Sequence, residues 1–254
     1  MTYCLGMLLD EGLVMVADTR TNAGVDNVSS YRKLHCLAEG PDREIYAATS
    51  GNLSASQSAL ERFADPDGPL MQAESMFAAA GLVGEALNEA NRAVSEAMAP
   101  AVMKGTSCLL LGGRVDGGPP RLFQIYHEGN FIECKRDAPF LQIGETKYGR
   151  PILDRVIRRS TPLPTAVKTA LLSFDSAMRS NLSVARPLDL VVMPSDPAEP
   201  SQTRRIEADD EYFNALSARW SKALNEATMA MPDPAFMQPE IPAQPERIVA
   251  RLHR

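Results

Sequence analysis

The 254-residue sequence has few of the residues on which many common functional sites depend, with only four cysteines and three histidines. The cysteines are widely separated and form no C-x-x-C pair, which disfavours a zinc site or a thioredoxin-type redox pair. The three scattered histidines provide no obvious metal cluster or Ser-His-Asp triad. We therefore predict no metal site, and we expect reduced thiols in a cytoplasmic protein.

Positive charge and long hydrophobic runs are also scarce. The 26 lysines and arginines are outnumbered by 32 aspartates and glutamates, giving a formal net charge of -6. This balance argues against nucleic acid or a membrane surface as a partner, because both are polyanionic. No apolar run approaches the roughly 18 residues of a membrane span. The first residues lack a basic segment and reach Asp10 and Glu11 early, so we expect no secretory leader.

The sequence does contain enough apolar residues for a full core, at 44% hydrophobic. Alternating and β-branched runs predict strands over residues 3–9, 13–17, 33–37, 45–49, 106–111, 121–126, 131–135 and 188–193. Helical spacing of apolar residues predicts helices over 53–63 and 72–98 and a second helix pair within 151–178. Residues 18–32 indicate a long loop or irregular ribbon. Because strands and helices occur in groups, antiparallel sheets covered by helices fit better than a parallel doubly wound sheet.

The composition changes after Pro194, so we predict a domain over residues 1–193 and an extension over 194–254. Within the extension, 196–203 is predicted to be a connector and 209–230 an amphipathic helix. The last residues form a proline-rich arm, with prolines at 232, 234, 239, 242 and 245. This arm is either a disordered tail or a strap that docks on a neighbouring subunit.

Thr2 is the strongest candidate in the sequence for a reactive, catalytic residue. Removal of Met1 would give a threonine with a free α-amine, so that Oγ attacks and the amine of the same residue takes the proton. An α-amine has a reference pKa of about 7.7 to 8.0, so part of it is a neutral base near pH 7. Many ordinary proteins also begin with Met-Thr, so this residue needs partners to carry a function.

Three further residues supply such partners. The predicted hairpin returns Asp18 to the vicinity of Thr2, and Lys33 begins a strand that can run beside them. A lysine in that position stabilises developing negative charge, and the aspartate keeps the lysine charged and oriented. Gly51 lies between a strand and a helix, where its N–H is a candidate oxyanion donor.

In order and spacing these residues resemble proteasome-type β subunits. The similarity is carried by Thr2, Asp18-Thr19-Arg20, residues 31–34, residues 47–52 and residues 142–145, and it extends over about residues 2–193. Within that family the sequence most resembles the bacterial ancestral β subunits called Anbu. The resemblance implies an α+β fold, a four-layer αββα sandwich of two antiparallel sheets between helix layers (the N-terminal nucleophile hydrolase fold), with a C-terminal helical extension.

The resemblance also implies residue roles. Thr2 matches the nucleophile, Asp18 and Lys33 match its charged partners, and Gly51 matches the oxyanion glycine. Thr49 and Leu53 occupy positions that line the first specificity pocket. No cofactor is implied, and the expected partners are further copies of the chain and a peptide or unfolded protein substrate; the motifs specify no ATPase partner.

The sequence departs from the family pattern near the expected α-amine. Glu145 follows Gly144 where the family places a serine, and Asn181 stands where it places an aspartate. Ser183 lies one position from the expected second serine. These three residues are therefore candidates for tuning the amine. Glu145 and Asn181 motivate one alternative to a peptidase, a catalytically weak or inactive scaffold subunit of a proteasome-like particle. A second alternative keeps the fold and the nucleophile but is an amidase acting on small amides, as in other N-terminal nucleophile hydrolases.

Overall fold

The computed structural model describes residues 2–22, 28–98 and 106–237. The strands are β1 (Tyr3–Leu9), β2 (Gly12–Asp18), β3 (Arg20–Asn22), β4 (Val28–Ser30), β5 (Leu34–Gly40), β6 (Arg43–Gly51), β7 (Ser107–Arg114), β8 (Arg121–Ile125), β9 (Phe131–Glu133), β10 (Phe140–Gly144), β11 (Leu188–Pro194) and β12 (Gln202–Ile206). The helices are α1 (Leu53–Glu61), α2 (Met76–Met98), α3 (Arg150–Val156), α4 (Leu163–Ser180) and α5 (Glu211–Met229), with short 3-10 turns at Pro69–Gln72 and Ala235–Met237.

Ten of these strands form two five-stranded antiparallel sheets. The first sheet has the order β10-β1-β2-β11-β12 and the second has the order β5-β6-β7-β8-β9. Strands β3 and β4 form a separate two-stranded ribbon between β2 and β5 in the chain. Because β2 pairs with β1 in a hairpin, with Cys4 opposite Ala17, the end of β2 lies beside the start of β1.

The two sheets pack face to face, with helices on both outer faces. One apolar cluster joins α1 and α2 to the second sheet, and another joins α3 and α4 to the first. A third cluster lies between the sheets, where Leu13 and Met15 of β2 accompany Leu110 of β7 and Leu122 of β8. Three apolar layers separated by two sheets make a four-layer αββα sandwich, which confirms the predicted fold class.

The alternation of side chains along β1 explains how one strand serves two of these layers. Tyr3, Leu5 and Met7 belong to the cluster under the helices, whereas Cys4 and Leu8 belong to the cluster between the sheets. Successive strand residues point to opposite faces, and here both faces are buried. This accounts for the continuous apolar run at the start of the sequence, and it fixes the register of the strand that carries Thr2.

The sequence-based assignment misses two of the strands in the structure. Strand β10 lacks a predicted counterpart, and β12 begins inside the predicted connector 196–203. Residues 18–32, predicted as a loop or ribbon, include the ribbon strands β3 and β4. Both β10 and β12 are edge strands, and β12 reads Gln-Thr-Arg-Arg-Ile, which lacks the apolar pattern of a central strand.

The chain divides into two compact units, Met1–Ser217 and Ala218–Arg254. Strand β12, which follows residue 193, is part of the first sheet. The division at residue 193 stays a prediction. The predicted amphipathic helix corresponds to α5, and the part of the proline-rich arm after residue 237 lies outside the described residues. None of the described helices is both long and apolar enough to cross a bilayer.

Candidate active site

Thr2 lies immediately before β1 and is held there by the end of β10. The N–H of Glu145 donates to the carbonyl oxygen of Thr2 at 2.6 Å. Gly144, opposite Tyr3 in the register, has φ +80, and a Cβ on it would collide with that same carbonyl oxygen. Glycine is therefore required for β10 to approach Thr2 this closely. Thr2 is only 8% exposed.

Asp18 and Lys33 form a buried ion pair next to Thr2. The Lys33 Nζ lies 2.8 Å from Asp18 Oδ1 and 2.5 Å from the carbonyl oxygen of Arg20, to which it also donates. Asp18 Oδ1 accepts a second hydrogen bond, at 3.0 Å, from the N–H of Tyr3. One carboxylate therefore fixes both the ammonium of Lys33 and the backbone directly after Thr2.

The environment of Asp18 has opposing effects on its titration. Burial raises the pKa of the Asp18 carboxyl, while the Lys33 ammonium and the N–H of Tyr3 act to lower it. Burial is the larger effect, so the pKa lies above its ordinary value.

The predicted catalytic residues converge on one cavity. Thr2, Lys33 and Gly51 line a cavity of about 230 Å³, and Asp18 contacts this cavity's lysine from within the protein. Thr49 and Leu53, predicted as substrate-binding residues, line the same cavity. The remaining lining residues are Thr21, Ser50, Ser56 and Gly144. Residues from five separate segments thus meet around one threonine.

The turn containing Gly51 has a conformation that restricts it to glycine. Gly51 has φ +110, and a Cβ there would collide with the carbonyl oxygen of Thr106. Asn52 caps α1, accepting from the N–H of Ala55 at 3.1 Å. The Asn52 N–H in turn donates to the Thr106 carbonyl at 3.2 Å. The backbone N–H groups at this turn therefore have a fixed orientation.

A buried polar network behind that turn was not foreseen from the sequence. The hydroxyl of Ser107 donates to the carbonyl of Asn52 at 2.6 Å, and Ser56 Oγ donates to the same carbonyl at 3.0 Å. Asn91 of α2 holds Ser107 by accepting from its N–H at 2.8 Å and donating to its carbonyl at 3.0 Å. In the sequence, Asn91 stands out as a polar residue among the apolar residues of α2. Its hydrogen-bond partners lie 16 or more residues away along the chain, so the sequence did not identify them.

Glu145, Asn181 and Ser183 also lie together. The Glu145 carboxylate accepts from the N–H of Lys147 at 2.7 Å and from Asn181 Nδ2 at 2.8 Å, and Asn181 Oδ1 accepts from the N–H of Ser183 at 3.0 Å. Burial acts to raise the pKa of Glu145, but the donors from Lys147 and Asn181 outweigh it, so the pKa lies below its ordinary value. The part of these residues in tuning an α-amine stays a prediction.

No group of three or more potential metal ligands among histidine, cysteine, aspartate and glutamate occurs in the described ranges. The residues that line the cavity present threonine and serine hydroxyls, the Lys33 ammonium and backbone N–H groups.

Comparison with known proteins gives a consistent result. The family model described as "Proteasome subunit" matches residues 2–193. No curated protein matches the chain.

Several solved structures are similar over almost their whole length. Anbu from Yersinia bercovieri is 41% identical with a TM-score of 0.82, covering 91% of this chain and 99% of its own. A Gly-1 mutant of Anbu from Hyphomicrobium sp. strain MC1 is 44% identical with a TM-score of 0.83, covering 92% and 99%. A structure described as the helical assembly of the Anbu complex from Pseudomonas aeruginosa is 41% identical with a TM-score of 0.85, covering 91% and 98%.

Proposed function

Because the chain belongs to the proteasome subunit family, we propose that it is a threonine-type endopeptidase whose nucleophile is Thr2, exposed by removal of Met1. The observation that carries this proposal is the single cavity lined by Thr2, Lys33 and Gly51, with Asp18 bound to Lys33 at 2.8 Å. Charged groups held by a specific partner at a cavity are a common feature of functional sites.

In the proposed reaction, Thr2 Oγ attacks the carbonyl carbon of a peptide bond while the Thr2 α-amine takes the hydroxyl proton. The carbonyl oxygen gains the negative charge, which the N–H of Gly51 stabilises by hydrogen bonding. The C–N bond then breaks, and the leaving amine receives the proton from the α-amine. A water molecule hydrolyses the resulting ester, which releases the acyl product and restores the threonine.

Lys33 acts in this mechanism through its charge. Its ammonium stabilises the partial negative charge on Thr2 Oγ during attack, and Asp18 holds it in position. The hydrogen bond from Tyr3 N–H to Asp18 also ties the ion pair to the nucleophile's own strand.

Two measurements on the same sample test this proposal. Intact-mass analysis shows whether Met1 is removed, because the mechanism requires a free threonine amine. Incubation with a threonine-directed electrophile such as a peptide epoxyketone, followed by peptide mapping, is expected to place the adduct on Thr2. The Thr2→Ala variant, equally processed, is expected to show neither adduct nor peptidase activity. Full activity in that variant would refute the proposal.

A second candidate function is a scaffold subunit with little or no activity. The observation that favours it is the bonding of Glu145 to Asn181, where the family pattern places residues that tune the amine. A third, suggested by the nucleophile alone, is hydrolysis of small amides. Processed protein that forms no adduct supports the scaffold, whereas turnover of small amides without peptides supports the amidase.

We also propose that the chain self-associates in the bacterial cytoplasm, because the similar chain from Pseudomonas aeruginosa is described as a helical assembly. The expected partners are other copies of the same chain and a peptide or unfolded protein substrate. Light scattering on the purified protein measures the assembly directly.

A further inference from the structure

A cavity of about 500 Å³ lies beside α3 and shares no lining residue with the cavity that contains Thr2. Its walls come from α3, from the residues directly after that helix, and from residues 136–140, which lead into the edge strand β10. We call this space the arginine cavity, because four of its ten lining residues are arginines, namely Arg136, Arg150, Arg158 and Arg159.

Two of these arginines share a single carboxylate. Asp10 Oδ1 lies 3.6 Å from Arg136 Nη2 and 3.2 Å from Arg159 Nε. Asp137 also lines the cavity. The Arg136 side chain is 79% exposed, so its guanidinium remains accessible to a further partner.

The other two arginines differ in their partners. Arg150 pairs with Asp154 at 3.4 Å. Arg158 donates to the backbone carbonyls of Asp154 and Ile157, at 3.0 Å and 2.8 Å, and forms no ion pair with a carboxylate among the described residues. Positive charge at the cavity therefore exceeds negative charge. Because an arginine stays charged and its fork of N–H groups matches a carboxylate, the cavity suits an acidic partner.

The complementary charge occurs at the opposite edge of the same sheet. Residues 207–211 read Glu-Ala-Asp-Asp-Glu and connect the edge strand β12 to α5. Glu207, Asp209 and Glu211 are exposed. Glu207 pairs with Arg205 at 3.2 Å, whereas Asp209 and Glu211 form no ion pair within the described part of the chain. This acidic segment thus presents negative charge to solvent.

We infer that the arginine cavity binds the acidic segment 207–211 of a second copy of this chain. This inference rests on the proposed self-association and names the two surfaces that meet. Because β10 and β12 are the two edges of one sheet, the contact joins unlike surfaces, and a pair of copies still offers a free cavity and a free segment. Such heterologous contacts repeat into a ring or an open helix. The description of the similar Pseudomonas aeruginosa chain as a helical assembly fits this repetition.

Charge reversal on one surface at a time tests the inference. The cavity variant combines Arg136→Glu with Arg158→Glu, and the segment variant combines Asp209→Lys with Glu211→Lys. Each is expected to lower the assembly mass in light scattering at least about threefold, because like charges then face each other. Asp210 is left unchanged, since it caps α5 by accepting from the N–H of the third residue after it, at 2.8 Å.

Combining the two variants provides the decisive measurement. In an equimolar mixture, the reversed cavity of one variant meets the reversed segment of the other, and the unchanged surfaces also match. The mixture, and a single chain with all four changes, are therefore expected to regain the wild-type assembly mass. Failure of both to regain it, although circular dichroism shows each variant folded, overturns the inference.

Arg62→Glu combined with Arg92→Glu is the matched control for net charge. Both arginines are exposed and lie outside the arginine cavity, and their reversal adds the same negative charge as the cavity variant. This control is expected to assemble like wild type. An equal loss of assembly in the control would show that overall charge, rather than the named contact, governs association, and would overturn the inference.

The remaining outcomes separate this inference from the proposals on which it rests. Wild-type protein that stays monomeric refutes self-association itself. Wild-type, cavity-variant and segment-variant proteins that assemble alike refute only the named contact. Calorimetric binding of inorganic triphosphate to wild type but not to the cavity variant, with equal assembly of both, would assign the arginines to a free polyanion and overturn the inference.

Discussion

The Asp18–Lys33 ion pair is buried next to Thr2, so replacing one member is expected to destabilise the protein. Asp18→Asn leaves the buried Lys33 ammonium without its counter-charge, and we expect a loss of about 3 kcal/mol or more in the free energy of unfolding. Peptidase activity is expected to fall about a hundredfold or more, since Lys33 loses its orientation. Denaturant unfolding and peptide turnover measure the two effects.

A double-mutant cycle separates this pairing from general damage. Asn at 18 combined with Lys33→Met removes both charges, and the double variant is expected to be more stable than the two single losses predict. Glu96→Gln breaks the exposed Arg92–Glu96 pair and is expected to leave stability unchanged. Strictly additive losses at residues 18 and 33 would show that the two side chains are not coupled.

Glu145 is predicted to stabilise the fold in a pH-dependent way. Its pKa is lowered in the folded protein, so the carboxylate contributes stability above its unfolded value of about 4.3, and this contribution is lost as the pH falls through the lower folded value. Glu145→Gln is expected to lose about 1–2 kcal/mol of unfolding free energy at pH 7, because hydrogen bonds to a charged acceptor are weakened.

Unfolding measured at a series of pH values tests the predicted contribution of Glu145 to stability. The difference between wild type and Glu145→Gln is expected to be constant above pH 6 and to shrink progressively below about pH 4. Wild-type and variant protein must be compared at equal concentration, since association shifts apparent stability. A difference that grows on acidification would show that the folded pKa of Glu145 is raised instead.

A residue near Thr2 was predictable from the sequence where a short, regular piece of chain, such as a hairpin, joins it to Thr2. A hairpin of two seven-residue strands necessarily returns Asp18 to the start of β1, so the Thr2 and Asp18 positions already indicated proximity. Asn91 and Ser107 could not be found in this way, because helix packing brings them to the Gly51 turn from distant parts of the chain. The direction of the Glu145 carboxylate toward Asn181 likewise depends on where α4 ends.

Among the elements, α2 is predicted to support the oxyanion turn through Asn91. Asn91→Ala leaves the buried N–H of Ser107 without its acceptor, and we expect a loss of about 1–3 kcal/mol in unfolding free energy. Because Ser107 donates to Asn52 beside Gly51, kcat is expected to fall more than KM rises. Asn88→Ala makes the same change at an exposed position of the same helix and is expected to be neutral. An equal effect of both variants would contradict this role.

The sequence predicts best those strands and helices whose apolar residues follow burial on one face or on both faces. The central strands β1, β2, β6 and β11 and the long helices α2 and α4 have strong apolar periodicity, so their existence was correctly predicted. Strand β10 reads Phe-Leu-Gln-Ile-Gly and exists because β1 offers it a partner. Such an edge strand is defined by its neighbour rather than by its own residues.

For the molecule as a whole, the C-terminal unit is predicted to take part in self-association. Among its described residues, Met229, Met231, Phe236 and Met237 are 65–86% exposed, which is an unusual concentration of large apolar side chains on a surface. Replacing Phe236 and Met237 together by serine is expected to reduce the assembly mass measured by light scattering, while circular dichroism stays unchanged.

The control Asn225→Ser alters an exposed polar residue of α5 and is expected to assemble like wild type. Because the residues that line the Thr2 cavity lie within 2–144, the serine variant is expected to form the Thr2 adduct even as smaller particles. Loss of the adduct together with assembly would instead mean that the site depends on a neighbouring copy, and unchanged assembly would exclude these side chains from the contact.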